Sequence, residues 1–453
     1  MNFKGGYNVS LDGKPSDEIN RPPFPKVIYL PLFSKRFTFT DLLVPDGAAV
    51  FEGQALAKDP ANFSVPLLAP ASGTVKIDRE RRSITIDNPQ SPAGGALKIE
   101  EALSEGAKKA GPEGRRRHAL LRLGAWQYFS DAATGKLPDP FGTPHAVIVS
   151  VSHLEPFLPG TEALLKDRMP QFEKGLEHIH AVSGNKTVYL ALPRGGAKAA
   201  IQIRDIVKRH SWIQPVDIPA KYPFDNVRVL ARLLGFDKKQ NNGPVWGCST
   251  EGVLAVDLAL RSSKPCVSRT ISVGGPGAKK AEHVEVCTGY PLADLLKPYQ
   301  SSVPARIING GALSGDAIPA DQMGLDAECL GLTLVPEQEK REILAFAHPG
   351  FSKHAFSNTF LGNLRPPFRE RYTTGIRGEH RPCISCCFCE AACPSRLMPH
   401  LLHKYVEKNR LEEADRFGLN LCVQCGLCSH VCTSKIEIKQ ILLEGQQKFL
   451  QER

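Results

Sequence analysis

Pro382-Cys383-Ile384-Ser385-Cys386-Cys387-Phe388-Cys389-Glu390-Ala391-Ala392-Cys393-Pro394 is followed, after a spacer of 28 residues between cysteines, by Cys422-Val423-Gln424-Cys425-Gly426-Leu427-Cys428-Ser429-His430-Val431-Cys432-Thr433. Both stretches contain C-x2-C-x2-C-x3-C, the spacing with which bacterial ferredoxins hold a [4Fe–4S] cluster. Three thiolates two residues apart wrap one corner of a cubane. The fourth lies about one helical turn further on and, in two-cluster ferredoxins, reaches across to the other cluster. On that rule Cys383, Cys386, Cys389 and Cys432 hold one cluster, and Cys422, Cys425, Cys428 and Cys393 hold the other. Two zinc sites are the competing reading, but zinc ribbons use C-x2-C pairs separated by longer gaps, not three cysteines in a row plus one at x3. With cysteine at every ligand position no iron stays open to a substrate, so the expected chemistry is one-electron relay. Thr433 stands where Pro394 follows the first run; it is not a ligand, but it can alter amide hydrogen bonds to sulfur and with them the potential.

The spacer is much longer than that of a minimal two-cluster ferredoxin. Residues 401–417 carry helix-like apolar positions at Leu401, Leu402, Val406, Leu411 and Ala414, so a helical domain is expected over residues 376–453. Five further cysteines, Cys248, Cys266, Cys287, Cys329 and Cys387, read as small buried apolar residues. Cys387 stands apart, because it lies inside the first run and can compete for iron. Thirteen cysteines behind an N-terminus with no apolar run fit metal thiolates in a reducing compartment better than a disulfide framework. No stretch approaches the ~20 apolar residues of a membrane span. The net charge of +10 peaks at Arg115-Arg116-Arg117. Without a zinc finger, an RNP pattern or a long basic helix this argues against nucleic acid and for a solvated face or a membrane-bound partner.

In chain order, residues 1–105 begin with an early strand at Val27-Ile28-Tyr29-Leu30 and continue in short alternating runs separated by glycine turns, the mark of a compact β domain. The pattern resembles the barrel–sandwich hybrid of lipoyl and biotinyl carriers. The hairpin tip, Pro60-Ala61-Asn62, lacks the carrier lysine and Lys58 stays on the strand, so a structural module is expected. Residues 106–117 read as a linker. Over 115–262 the buried runs 146–151 and 187–192, with helix-like 164–176, 197–210 and 249–262, imply an open α/β layer with crossover helices. Residues 263–335 read as a small β-rich module. Within it Gly274-Gly275-Pro276-Gly277-Ala278-Lys279-Lys280 is a turn and not a phosphate loop: no Ser or Thr follows the lysine, and Pro276 removes an amide donor. Residues 336–375, with a strand-like 342–346, read as a connecting segment. His178, His180, His348 and His354 read as surface histidines, with no cysteine or carboxylate at ligand spacing.

On these residues nearly the whole chain resembles one pair of related proteins, NqrA and RnfC. Residues 383–439 look like the cluster domain of RnfC, from the Rnf ion-pumping complex. Gly5-Gly6, Ala69-Pro70-Ala71-Ser72-Gly73-Thr74-Val75, Val245-Trp246 and Arg306-Ile307-Ile308-Asn309-Gly310-Gly311-Ala312-Leu313-Ser314-Gly315 look closer to NqrA, from the sodium-translocating NADH:quinone oxidoreductase (NQR). The resemblance implies a multidomain α/β chain: a barrel–sandwich hybrid, a Rossmann-like domain, a β-grasp (SLBB-like) module and a C-terminal helical dicluster ferredoxin domain. RnfC has a Gly-rich loop that cradles FMN. The matching place here reads Leu123-Gly124-Ala125-Trp126-Gln127-Tyr128-Phe129, where the glycine run is gone and bulky residues stand in its place. This weakens the case for FMN and for direct NADH oxidation by this chain.

What the resemblance implies is a peripheral subunit on the cytoplasmic side of the inner membrane. It would relay electrons through two [4Fe–4S] clusters within an NADH- or ferredoxin-to-quinone complex that moves Na+. The implied partners are integral-membrane and flavin-bearing subunits. Quinone binding is implied by family alone, with no residue here marking a site. The alternatives are a stand-alone FMN/iron–sulfur reductase similar to cobalamin reductase, and a scaffold whose β modules hold partners together.

Overall fold

The Ser83-Ile84-Thr85-Ile86 alternation buries both isoleucines completely and leaves the polar side chains at the surface. Its strand, Ser83–Gln90, is the centre of the first of four sheets in the computed structural model, which describes residues 3–9, 11, 13–90, 111–195, 198–236, 243–338, 356–357, 361–364, 372–375 and 380–452. Val27–Pro31 and Ser72–Asp78 flank it, and Ala49–Val50 closes that sheet. A three-stranded sheet of Asp41–Leu42, Ala55–Asp59 and Val65–Leu68 packs Leu56, Val65 and Leu67 into the same core. The turn between the last two strands is the short helix Pro60–Asn62, capped by Asp59.

The second unit is a five-stranded sheet in which Ile213–Ile218, Val188–Pro193, Ala146–Ser150 and Val245–Ser249 run parallel and Ser130–Asp131 is an antiparallel edge. Every residue of Ala146–Ser150 is buried, as a strand covered on both faces requires. Val147 and Val149 share one core with Ile179, Ile203 and Val256 of the helices Met169–Val182, Lys198–Arg209 and Thr250–Ser262. Ile148 faces Val229 and Leu230 of Val227–Leu233. The expected linker over 106–117 does not hold where it is described: Gly111–Arg122 is a helix. Arg117 leaves the charged surface as well. It is buried, donates to the carbonyls of Val182 (2.6 Å) and Gly142 (2.8 Å), and lies over the Trp246 ring, whereas Arg115 and Arg116 stay exposed.

The third unit is a six-stranded mixed sheet built on Ser268–Gly274, Glu282–Cys287, Ala305–Asn309 and Gly331–Pro336. Its outer strand comes from the far end of the sequence: Ile19–Asn20 pairs with Glu282–Cys287. The lead-in segment therefore does not belong to the first β unit. The C-terminal region is helical (Phe388–Ala392, Pro399–Glu407, Leu411–Arg416, Leu427–His430 and Ile438–Gln451) around Leu402, Val406, Ala414, Leu442 and Phe449. Gly445 lets the last helix approach, since a Cβ there would lie 2.6 Å from Val406. No helix among the described residues is long and apolar enough to cross a membrane. The strand-like stretch 342–346, His348 and His354 lie outside the described residues. His180 is not a free surface histidine: it stacks on Trp212 at 4.3 Å, with Nδ1 2.9 Å from the Lys186 carbonyl.

Candidate metal centre

The two cysteine runs fold alike. In the first, Ser385 and Cys387 adopt left-handed backbone at φ +54° and +58°; in the second, Gln424 and Gly426 do so at +56° and +76°. Arg396 and Lys435 repeat this at +54° and +58° after the fourth cysteines. The amides of Leu397 and Ile436 each donate to the cysteine four residues earlier, to Cys393 Sγ and Cys432 Sγ, both at 3.4 Å. Non-glycine left-handed residues cost about 1–3 kcal/mol each and gather at functional sites. Here they turn main-chain N–H groups toward sulfur, as at Gln424, whose amide donates to Cys422 Sγ at 3.4 Å.

The thiols sort into two crossed sets. Cys422, Cys425, Cys428 and Cys393 line one cavity together with Pro394, Leu397, Gln424 and Lys439. Cys428 interacts electrostatically with Cys422, Cys425 and Cys393. Cys389 interacts in the same way with Cys386 and Cys432, and burial pushes its thiol up to about 12. The segment before Cys383 is tied to the one after Cys432 by two bonds, Arg381 N to the Ser434 carbonyl and Ser434 Oγ to the Pro382 carbonyl, both 3.0 Å. Cys387 belongs to neither set; it is exposed, with its thiol on the Ser385 carbonyl at 3.4 Å. Cys248, Cys287 and Cys329 are buried and Cys266 is half-buried; burial pushes Cys266 and Cys287 up to about 12.

The sets differ in their surroundings. The parallel-sheet unit holds the second: Arg228 donates to the carbonyls of Cys422 and Asn420 at 3.0 Å, Tyr222 Oη to the Cys425 carbonyl at 2.8 Å, and Arg232 to Ser395 Oγ at 2.8 Å. Lys439 Nζ bonds the Ser314 carbonyl at 3.0 Å and lies 3.7 Å from Asp316. Arg228, Arg232 and Lys439 all act on the Cys422 thiol in the direction that favours its charged form, against the larger effect of burial. In the first set Cys386 is exposed, 3.7 Å from Thr433 Oγ1. None of the three cations, nor Tyr222, sits at a spacing that marks it in the sequence. Gly5 and Gly6 wedge between cluster loop and body: Gly6 N donates to the Ala392 carbonyl at 3.0 Å, and a Cβ on Gly5 (φ +79°) would lie 2.5 Å from the Cys393 carbonyl.

A cleft of about 1,000 Å³ reaches from Val423 and Gln424 to the carboxyl ends of the parallel strands at Ser150 and Ser249. This is where open α/β sheets place ligands. Beside it His153 Nε2 meets Glu251 Oε1 at 2.8 Å. Burial opposes the imidazolium, but the Glu251 carboxylate, with Asp225 and Glu155 behind it, raises the pKa to about 9. Asp225, which accepts from Leu154 N at 3.0 Å, is raised by burial to about 6. The 123–129 loop borders this cleft with Gln127 and Tyr128, while its Trp126 and Phe129 side chains turn into the core. Trp126 is completely buried, stacks on Phe129 at 4.6 Å, meets Trp246 edge-on at 5.1 Å and donates its indole N–H to the Pro138 carbonyl at 3.0 Å.

Fold and site together define a mixed α/β protein of several sheets whose helical C-terminal region gathers Cys393, Cys422, Cys425 and Cys428 around one cavity and brings Cys386, Cys389 and Cys432 together nearby. Residues 114–256 match the family model described as the NqrA second alpha/beta domain. The chain is 25% identical to the A-type subunit of the Na(+)-translocating NADH-quinone reductase of Marinomonas sp. (strain MWYL1), over 96% of each chain. It is 24% identical to the corresponding protein of Pseudomonas aeruginosa (strain UCBPP-PA14), over 100% of each. These matches support kinship with the NqrA family, whose named members are subunits of an oxidoreductase complex. Among solved structures, an NAD+-reducing [NiFe]-hydrogenase in the H2-reduced state aligns with a TM-score of 0.41 and 10% identity, over 78% of this chain and 63% of that one.

Proposed function

We propose that this chain is a peripheral electron-transfer subunit of an NQR/Rnf-type membrane redox complex. It holds two [4Fe–4S] clusters and acts on the cytoplasmic face within NADH- or ferredoxin-to-quinone transfer coupled to Na+ movement. The observation that supports this reading is the crossing of the two runs: Cys393 lies with Cys422, Cys425 and Cys428, and Cys432 lies with Cys386 and Cys389. When bound, such clusters supply one-electron transfer. Cys383, Cys386, Cys389 and Cys432 would hold one, and Cys422, Cys425, Cys428 and Cys393 the other. The donor set supports iron–sulfur over zinc. Among the described residues no three sulfurs of either set lie within 4.8 Å of one another, whereas four thiolates on one zinc, at Zn–S of about 2.3 Å, stand about 3.8 Å apart. The amides of Leu397, Gln424 and Ile436 favour thiolate at the sulfurs they reach, and Leu397 and Leu427 keep water from the second set.

The Trp126 packing supports a loop without FMN, so reducing equivalents reach this chain from another protein of the complex. The test is anaerobic reconstitution with iron, sulfide and flavin counts and EPR of the reduced protein. We expect roughly eight irons per chain, two coupled cluster signals and no flavin, with Cys428→Ser reducing the iron to about half. Two zinc ions in place of iron, or a membrane complex that turns over undiminished with Cys389→Ser and Cys428→Ser, overturns the reading. Stoichiometric FMN would favour a stand-alone reductase.

A further inference from the structure

Cys387, Glu390 and His400 each bring one donor atom to a single spot beside the first thiol set, all within 4.8 Å of one another. Three separate local features put them there. Cys387 is the left-handed residue that opens the Phe388–Ala392 helix, Glu390 lies in its first turn, and His400 is the second residue of Pro399–Glu407. His400 is nearly buried, with 12% of its side chain exposed, and its buried Nδ1 makes no hydrogen bond. The nearest acidic oxygen, Glu390 Oε2, lies 3.6 Å away, too far for a hydrogen bond but close to the separation of two ligands on one small cation. Among the described residues no Lys or Arg pairs with Glu390. A second spot with three donors, Glu173, Glu177 and His210, is already satisfied internally: Arg209 and His210 bond Glu173, and Lys174 bonds Glu177.

The likeness of the two runs supplies an internal control. Shifted by the distance that carries Cys383 onto Cys422, the positions of Cys387, Glu390 and His400 become Gly426, Ser429 and Lys439. In that half the main-chain N–H of Lys439 bonds Ser429 Oγ at 2.8 Å and the lysine serves the second thiol set. Three non-ligands in one half are thus three metal donors in the other. A thiolate, a carboxylate and an imidazole with room for water form the donor set of a borderline divalent ion. We propose that Cys387, Glu390 and His400 bind one mononuclear divalent ion of the zinc class, distinct from both thiol sets. The main-chain amides of Glu390 and His400 also donate to the Cys389 sulfur, so the ion would sit directly behind that sulfur's hydrogen bonds.

The test equilibrates the reconstituted full-length protein with zinc chloride, removes free metal, and counts zinc, iron and sulfide together. One zinc per chain with iron unchanged is expected. Cys387→Ser and His400→Ala should lose the zinc and keep iron and sulfide, and Glu390→Gln should weaken zinc binding roughly tenfold. Zinc retained equally by Cys387→Ser overturns the site. So does zinc that enters only as iron leaves, and so does a Cys387→Ser protein that loses half its iron, since Cys387 would then be a cluster ligand. The iron and sulfide counts fail separately from the zinc count, so loss of the cluster reading and loss of this site are distinguishable.

Discussion

Replacing Trp126 tests whether the 123–129 loop is a packed core element or a cofactor cradle. The side chain is completely buried, so Trp126→Ala removes a full aromatic volume, at about 3–5 kcal/mol. The indole N–H to the Pro138 carbonyl adds about 1 kcal/mol, and the ring contacts with Phe129 and Trp246 fall partly within the first figure. At roughly 2–4 °C per kcal/mol for a unit of this size, the unfolding midpoint should fall by about 10–20 °C. Trp126→Phe keeps most of the buried area and strands the Pro138 carbonyl, so a loss of about 1–2 kcal/mol is expected. The assay is anaerobic thermal unfolding followed by near-UV circular dichroism, with acid-extractable flavin measured on each protein. Variants within about 0.5 kcal/mol of the parent, or flavin present in the parent and lost in Trp126→Phe, would refute the packing argument.

Three further outcomes follow from the geometry around the second thiol set and the cleft. Lys439→Met removes a largely buried cation from that set and should lower its midpoint potential by on the order of 50 mV; an EPR-monitored titration should leave the first set unmoved. Arg228→Leu breaks two bonds to the carbonyls of Cys422 and Asn420, so a chelator should strip iron from the second set about tenfold faster, the equivalent of one charged hydrogen bond. His153 gains a partner on folding, so its contribution is complete below its ordinary value of about 6.5 and is lost as pH rises through about 9. Glu251→Gln should therefore cost about 3–5 kcal/mol at pH 6 and much less at pH 10, read from urea midpoints at the two pH values.

The grouping of the thiols is legible in the sequence because short, local spacing sets it; the two C-x2-C-x2-C-x3-C runs fold alike. Helices and strands with strong periodicity are legible for the same reason: the helix-like run 249–262 folds as Thr250–Ser262, with the Ser249 side chain accepting from Gly252 N at its start. Distant meetings of chain are not. Nothing in Ile19-Asn20 announces a partner at His283 and Val284. Arg117 reads as one of three surface charges, and only the folded chain gives it the Trp246 ring and two carbonyls. The glycine-poor 123–129 loop is legible as a departure, but Trp126 finds its partners at Pro138 and Trp246. The cations around the second set come from the Val227–Leu233 and Ile438–Gln451 helices, and only folding brings Arg228 and Lys439 to act on one thiol, that of Cys422.

The wedge made by Gly5 and Gly6 sets an order on how the molecule is finished. The groove that receives them is closed by Ala392 and Cys393, which leave the ribosome roughly four hundred residues later, and contacts of such separation form slowly. Until then this segment has only half its seat, the Tyr222 carbonyl and the Phe224 ring of the α/β unit. The helical C-terminal region, once made, docks against Tyr222 and Arg228 and against this early segment together. Gly5 and Gly6 thus act as a latch thrown last, over the turn that carries Cys393.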